Sequence, residues 1–307
     1  MLILTLSVVV VGTAVAIETC SSHCHEYATV TLSNQVKMPV VGFGTAAMHG
    51  PTTAASVKTA VKAGFRMFDG AEAEEWYDDE ALGKALHAMI NSQVVQREDL
   101  FIVSKIHPKN LGTTKTKTAL DNMFERFEVE FIDLVLLHFP ECGHWIPSCN
   151  GVVVEGTWED SYAVLQRYYN EGVLGAIGVS NFNILQLRQL VDSSLINPHV
   201  VQNYMTPLHK DLEVREFCRA QGIHYVGYST LNTDWEERKP QHRIMLDIAN
   251  KHDSSVVDVT LSWAIQRGMG VLPRSTNEIH IHENAKFHCK ERTFLLEGDL
   301  ALIDKLE

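Results

Sequence analysis

No Gly-x-Gly-x-x-Gly fingerprint occurs in the 307 residues, which argues against a dinucleotide fold of the Rossmann type. Clusters of Lys and Arg are also missing. With 26 basic residues against 38 acidic ones, the formal net charge is −12, a poor match for a nucleic-acid surface. No Asn-x-Ser/Thr acceptor is present, so glycosylation offers no sign of secretion. Beyond the N-terminal segment no apolar run reaches transmembrane length, and no membrane span is expected. Linkers, low-complexity tracts and charge runs are absent, so nothing marks a domain boundary.

What is present begins with Leu2 to Val15, a run of apolar or small residues leading into Thr13-Ala14-Val15-Ala16. It is too short to span a bilayer and suits a signal-peptide core with cleavage after Ala16, although a basic leader is lacking. The expectation is a signal peptide over 1–16, a mature domain over 17–307, and a secreted or secretory-lumen protein. If the segment is not a signal peptide, as with a short anchor or a mis-started reading frame, the protein is cytoplasmic. Six cysteines follow. Cys142 and Cys149 bracket a short loop and are the pair expected to bridge, whereas Cys218 lies in a helical pattern and reads as a buried thiol. Cys20-Ser-Ser-His-Cys24-His25 has irregular spacing and no second ligand pair, so no metal is expected.

From Tyr27 onward two alternating segments, Tyr27 to Leu32 and Val36 to Phe43, flank Ser33-Asn34-Gln35 and predict a β-hairpin. A rhythm of short apolar runs and helical patterns then begins. The runs are Val40–Gly44, Arg66–Asp69, Leu100–Lys105, Phe131–His138, Ala176–Asn181, His199–Asn203, His224–Ser229 and Met269–Ser275. Phe131 to Leu137 is apolar almost without alternation, as befits a strand covered on both faces, and Pro140 stops it. Eight runs separated by helical patterns predict one α/β domain, a (β/α)8 TIM barrel with an N-terminal hairpin. Polar groups gather where these runs end: Asp69, Lys105, His138, Ser180-Asn181, Gln202-Asn203, Tyr228-Ser229 and Arg274-Ser275. Convergence at the C-terminal ends of barrel strands is the pattern of an active site.

Met38-Pro39-Val40-Val41-Gly42-Phe43-Gly44-Thr45, Gly64 to Asp69, Arg97 to Lys105, Asp133 to His138, Gly175 to Phe182 and Leu272 to Ser275, in this order and spacing, resemble the aldo-keto reductase family. The resemblance spans about Ala28 to the C-terminus. It implies hydride transfer from a nicotinamide cofactor to a carbonyl, with Tyr, Lys, Asp and His around the reacting oxygen. Asp69, Lys105 and His138 match three of these positions. An acid must protonate the oxygen as hydride arrives, and a phenol titrating near 10 is poorly matched to neutral pH. A nearby ammonium is expected to lower it, a buried aspartate to place that ammonium, and an imidazole to orient the carbonyl.

The family tyrosine falls five residues after the aspartate, where this chain has Glu74; counting back from Gly83 lands on Trp76. Tyr77 is one step away, about 100° around a helix. The expectation is that the enlarged loop re-aims Tyr77 as proton donor, with Glu72, Glu74 and Glu75 as substitute acids if it does not. The resemblance also implies Gly44, Thr45 and Asp69 beside the cofactor, Ser180, Asn181 and Gln202 on its carboxamide, and Tyr228 stacked on its ring. Ser229 and Leu231 would line the pyrophosphate. Arg274 and Ser275 suit a 2′-phosphate, His280 stands where arginine is usual, and Glu283 and Asn284 fit adenine contacts. NADPH is expected, with NADH open. Ala46 in place of a common tryptophan suggests an open pocket for a small-molecule carbonyl, with Trp76, His138 and Trp145 as substrate contacts. Family members are often monomers. The competing reading is a secreted, catalytically weak barrel that binds a small molecule or a protein.

Overall fold

The structure, a computed structural model, describes residues 28–288 and 295–307. The candidate signal segment, Cys20, Cys24 and Cys289 lie outside the described residues.

Strands β1 (Thr29–Thr31) and β2 (Lys37–Pro39) pair antiparallel, Val30 opposite Met38, around a turn in which Gln35 takes a φ of 71°. The hairpin is the predicted one, shortened at both ends. The eight predicted runs are β3 (Gly42–Gly44), β4 (Met67–Asp69), β5 (Phe101–Ile106), β6 (Ile132–Leu137), β7 (Leu174–Ser180), β8 (Val200–Tyr204), β9 (His224–Tyr228) and β10 (Gly270–Val271). They lie side by side in chain order, all parallel. A parallel bridge between Val41 and Val271, with Val271 N–H donating to Val40 O at 2.9 Å, links the first strand to the last. Eight parallel strands with helices between them form a (β/α)8 barrel.

The intervening helices are α1 (Pro51–Ala63), α2 (Asp79–Asn91), α3 (Thr113–Phe127), α4 (Trp158–Asn170), α5 (Ile184–Ser193), α6 (Leu212–Gln221), α7 (Lys239–Lys251) and α8 (Val256–Gln266). Local chemistry explains their starts. Asp78 caps α2 by accepting from Ala81 N–H at 2.8 Å, and Thr157 with Asp160 closes a capping box on α4. Two further helices, α9 (Glu278–Ala285) and α10 (Glu297–Asp304), escaped the sequence reading. Each has only eight residues, and α10 is fixed by tertiary contacts: Asp304 accepts from Trp263 Nε1 and Arg267, and Asp299 from Lys251 and His252.

Two apolar cores result. Between barrel and helices lie the outward residues, among them Phe68, Ile102, Val135, Leu137, Ile177 and Val201. Inside the barrel lie Met67, Phe101, Val103, Leu134, Leu136, Ala176, Val200 and Val226, and the hairpin adds Leu32 and Met38 as a floor. Alternate residues of one strand therefore serve different cores, which explains why the runs read as continuously apolar.

Helices α2 and α3 approach so closely that a Cβ on Gly83 would sit 2.4 Å from Arg126 O and 3.0 Å from Phe127 Cα. Backbone cannot swing aside as a side chain can. Gly83→Ala is expected to lower the unfolding free energy by roughly 1–3 kcal/mol, measured by urea denaturation.

Candidate active site

Strand parity carries the inner core upward into a polar layer. Val103 and Phe101 point inward, so Lys105 does too; Met67 likewise implies Asp69, and Leu134 with Leu136 implies His138. The same count brings Ser180, Gln202 and Tyr228 to the mouth from β7, β8 and β9. Apolar residues fill the lower barrel, and its upper rim carries the polar and ionisable side chains, where barrel enzymes hold their sites.

At the centre Lys105 Nζ donates to Asp69 Oδ1 at 2.6 Å and to Gly70 O at 2.8 Å. Gln202 Nε2 donates to the other carboxylate oxygen at 2.8 Å. Lys105 is fully buried, so the ammonium is held by partners of opposite polarity rather than by water.

The displaced tyrosine arrives. Residues 70–78 wind into a tight loop in which Glu72 N–H donates to Lys105 O, Trp76 and Tyr77 N–H both donate to Ala73 O, and Ala47 N–H donates to Trp76 O. The ring of Tyr77 ends 4.9 Å from Lys105 Nζ and 5.9 Å from the His138 ring, lining one cavity with Asp69. Of the substitute acids, Glu72 faces Arg126 at 3.5 Å, Glu75 is engaged by His107 and Ser148, and Glu74 is exposed. None of the three lines that cavity. The expected lowering of the phenol's pKa is corrected. Burial pushes it well above its ordinary value, the charges of Asp69 and Asp79 push the same way, and Arg274 offsets them in part. Lys105 lies over the ring face, with its charge neutralised by Asp69.

His138 is driven the other way, well below the usual imidazole value, by burial and then by the Lys105 charge. The ring is therefore neutral, and its buried Nδ1 has no partner among the described residues. Its carbonyl accepts from Asn181 Nδ2 at 2.8 Å, and Asn181 Oδ1 accepts from the Tyr228 hydroxyl at 2.7 Å. Ser180 Oγ donates to Gln202 O at 2.7 Å. Ser180, Asn181 and Gln202 are thus together, but already engaged with one another and with Asp69. Holding a carboxamide requires them to exchange partners.

The cavity of about 370 Å³ beside Tyr77 and Asp69 is walled by Gly44, Ala46, Tyr228, Ser229, Leu231 and Arg274. Ser229 adopts a φ of 55°, turning the chain sharply there, and Arg274 reaches across to donate to Ala46 O at 3.0 Å. An open cleft of this size, with a phenol ring, backbone and a guanidinium at its margin, fits a nicotinamide nucleotide. Thr45 is buried, donating to Asp69 O at 2.8 Å. Ser275 and α9, with His280, Glu283 and Asn284, lie outside this cavity; His280 and Glu283 are exposed and Asn284 is buried.

On the opposite flank Trp76 meets His138 edge-to-face at 5.8 Å and stacks on Trp145 at 6.3 Å. Trp145 belongs to the loop closed by the Cys142–Cys149 disulfide, the expected pair, and Cys218 is a buried thiol as expected. Phe139, Glu75, His107 and Ser148 were missed as members of this flank. The signal lay in spacing: Phe139 follows His138, and His107 stands two residues past Lys105.

A family model described as "Aldo/keto reductase family" matches residues 40–293. Glyoxal reductase of Bacillus subtilis is 32% identical over 279 residues, covering 91% of this chain and 92% of that protein. NADPH-dependent D-xylose reductase of Meyerozyma guilliermondii is 28% identical, over 91% and 94% of the two chains. The crystal structure of an aldo/keto reductase from Brucella melitensis superposes with a TM-score of 0.78 at 27% identity, covering 92% of this chain and all of that one.

Asp79, at the start of α2, is buried below the site. It accepts from Ser104 Oγ at 2.6 Å and Ala71 N–H at 2.9 Å, and burial lifts its pKa from 3.8 to about 6. The folded state therefore binds this proton more tightly than the unfolded chain. The resulting stabilisation is full below pH 4 and lost as pH rises through 6. Asp79→Asn removes the term. Its unfolding free energy relative to the parent is expected to rise by roughly 3 kcal/mol between pH 4 and pH 7, measured by denaturation at each pH.

Proposed function

The chain belongs to the aldo/keto reductase family, and on that footing we propose that it reduces an aldehyde or ketone with NADPH, Tyr77 giving the proton. The observation that carries this reading is the Tyr77 ring beside the buried Lys105–Asp69 pair, in one cavity with room for a nucleotide. A nicotinamide cofactor bound there supplies the hydride that forms the new C–H bond. The chain's own residues do the rest. Tyr77, protonated throughout the neutral range, passes its hydroxyl proton to the carbonyl oxygen. Neutral His138 orients that oxygen through a hydrogen bond, and Lys105 stabilises the phenolate left behind before solvent reprotonates it.

Tyr228, Ser229 and Leu231 would line the cofactor, together with Gly44 and Thr45, and Ser180, Asn181 and Gln202 would hold its carboxamide. Exposed Arg274 with Ser275 supports NADPH over NADH, since a guanidinium can grip a phosphate in two bonds. The D-xylose reductase relative is likewise named NADPH-dependent. By the family resemblance His280, Glu283 and Asn284, which lie on α9 outside that cavity, would meet the adenine end of the cofactor. The weak-barrel reading drew on the displaced tyrosine, on His280 in place of arginine and on the low NADPH supply outside the cytosol; the position of the Tyr77 ring speaks against the first of these. We also place the mature protein in the secretory pathway. The apolar segment ahead of Ile17 supports this, as does a disulfide suited to an oxidising compartment.

Purified protein is expected to show tryptophan quenching on adding NADPH and to oxidise it with 4-nitrobenzaldehyde. Tyr77→Phe should cut kcat by about 10²–10⁴-fold while keeping the quench, and unchanged turnover would end the proposal. Arg274→Ala should raise KM for NADPH about ten-fold without a matching change for NADH. Mass spectrometry of protein recovered from the medium of secreting cells should find an N-terminus at Ile17; a retained Met1 would reverse the assignment.

A further inference from the structure

Asp79 is the first residue of α2, two places past Tyr77, and its side chain is buried behind the site. Its two carboxylate oxygens hold different partners. Oδ1 accepts from Ala71 N–H at 2.9 Å, which closes residues 71–79 into a loop with Tyr77 inside it. Oδ2 accepts from Ser104 Oγ at 2.6 Å, and Ser104 directly precedes Lys105 on β5. Gly70, whose carbonyl accepts from Lys105 Nζ, packs on the same carboxylate: a Cβ there would fall 2.2 Å from Oδ1. One side chain therefore holds both ends of the loop and joins it to the strand that bears the ammonium. Hydrogen bonds have a direction that apolar packing lacks, so such a junction fixes orientation as well as distance.

The charge of this junction changes within the range in which a reductase works. Burial lifts Asp79 to about 6, against the Ser104 bond, the charges of Arg126 on α3 and Lys105 on β5, and the Ala71 bond. Arg126 is shared with Glu72 at 3.5 Å, and Lys105 with Asp69 at 2.6 Å. The other shifted groups at the site move out of that range: His138, His107 and Glu75 titrate lower than usual, and Tyr77 higher. Burial and the Asp69 charge keep the proton on Tyr77, and ionised Asp79 adds to them. A phenol held in this way is a weaker acid and gives its proton more slowly. Protonated Asp79 loses the charge but keeps its place, since Oδ1 still accepts from Ala71 while Oδ2–H donates to Ser104.

Resting on the reductase reading, we infer that Asp79 is a positioning residue for the proton donor: its carboxylate clips the Tyr77 loop to β5, and its charge slows the departure of the proton from Tyr77. Asp79 is neutral on the acid side of its titration and ionised above it, so carbonyl reduction slows as pH rises through about 6.

The test is single-turnover oxidation of NADPH by 4-nitrobenzaldehyde in the full chain, from pH 5 to pH 8. The parent rate should fall about three-fold as pH rises through 6. Asp79→Asn retains both bonds, its amide donating to Ser104 and its carbonyl accepting from Ala71, and should lose the step by staying at the fast level at pH 8. Ser104→Ala removes a bond that favours the ionised form and should carry the midpoint up by about one pH unit. Asp79→Ala should slow the reaction about ten-fold at every pH and speed hydrogen exchange at residues 70–78 about ten-fold relative to α4. A flat parent profile, a step that survives in Asp79→Asn, or an unmoved midpoint in Ser104→Ala overturns the role of the charge. Parent-like rate or exchange in Asp79→Ala overturns the clip. If the parent does not oxidise NADPH with the aldehyde at any pH, the reductase reading has failed and the role of the charge with it, and the exchange experiment alone decides the clip.

Discussion

The structure turns on an ammonium placed where water does not reach. Burying Lys105 without a partner would cost far more than a small domain can spare, so the residues around it are chosen by that need. Asp69 supplies the opposite charge, Gly70 a carbonyl, and Gln202 satisfies the carboxylate oxygen that Lys105 leaves over. Three strands thereby become one electrostatic unit. A pair of this kind is poor at stabilising a fold and good at fixing positions, because losing either member strands the other in low dielectric. It holds the ammonium, neutralised by Asp69, against the Tyr77 ring and away from solvent.

Around that unit the two titratable rings are pushed apart. Tyr77 is driven up and His138 down, by burial first in both cases. Neither carries charge at neutral pH, so the only formal charges at the barrel mouth's centre are the paired ones. On the proposed reading one group gives a proton and the other orients, a division made by environment rather than by residue type.

Much of this was legible in sequence. The barrel could be read because each strand serves an inner and an outer core, and runs such as Ile132–Leu137 are apolar on both counts. Asp69, Lys105, His138, Ser180, Gln202 and Tyr228 could be read because parity carries them to the same rim. The aim of Tyr77 could only be guessed, since it depends on how residues 70–78 fold against Ala47 and Lys105, and such contacts have no period. The Glu75–His107–Ser148 knot was hidden for the same reason: its members lie 32 and 41 residues apart. Helices α9 and α10 are too short for periodicity to declare them, and α10 owes its place to partners on α7 and α8.

The hairpin at the other end closes the base. With Leu32 and Met38 seated among the inner strand residues, the cup has a floor. A molecule that reaches Asp69 or Tyr77 therefore comes from the polar end, since the far end of the strands is stoppered with apolar side chains.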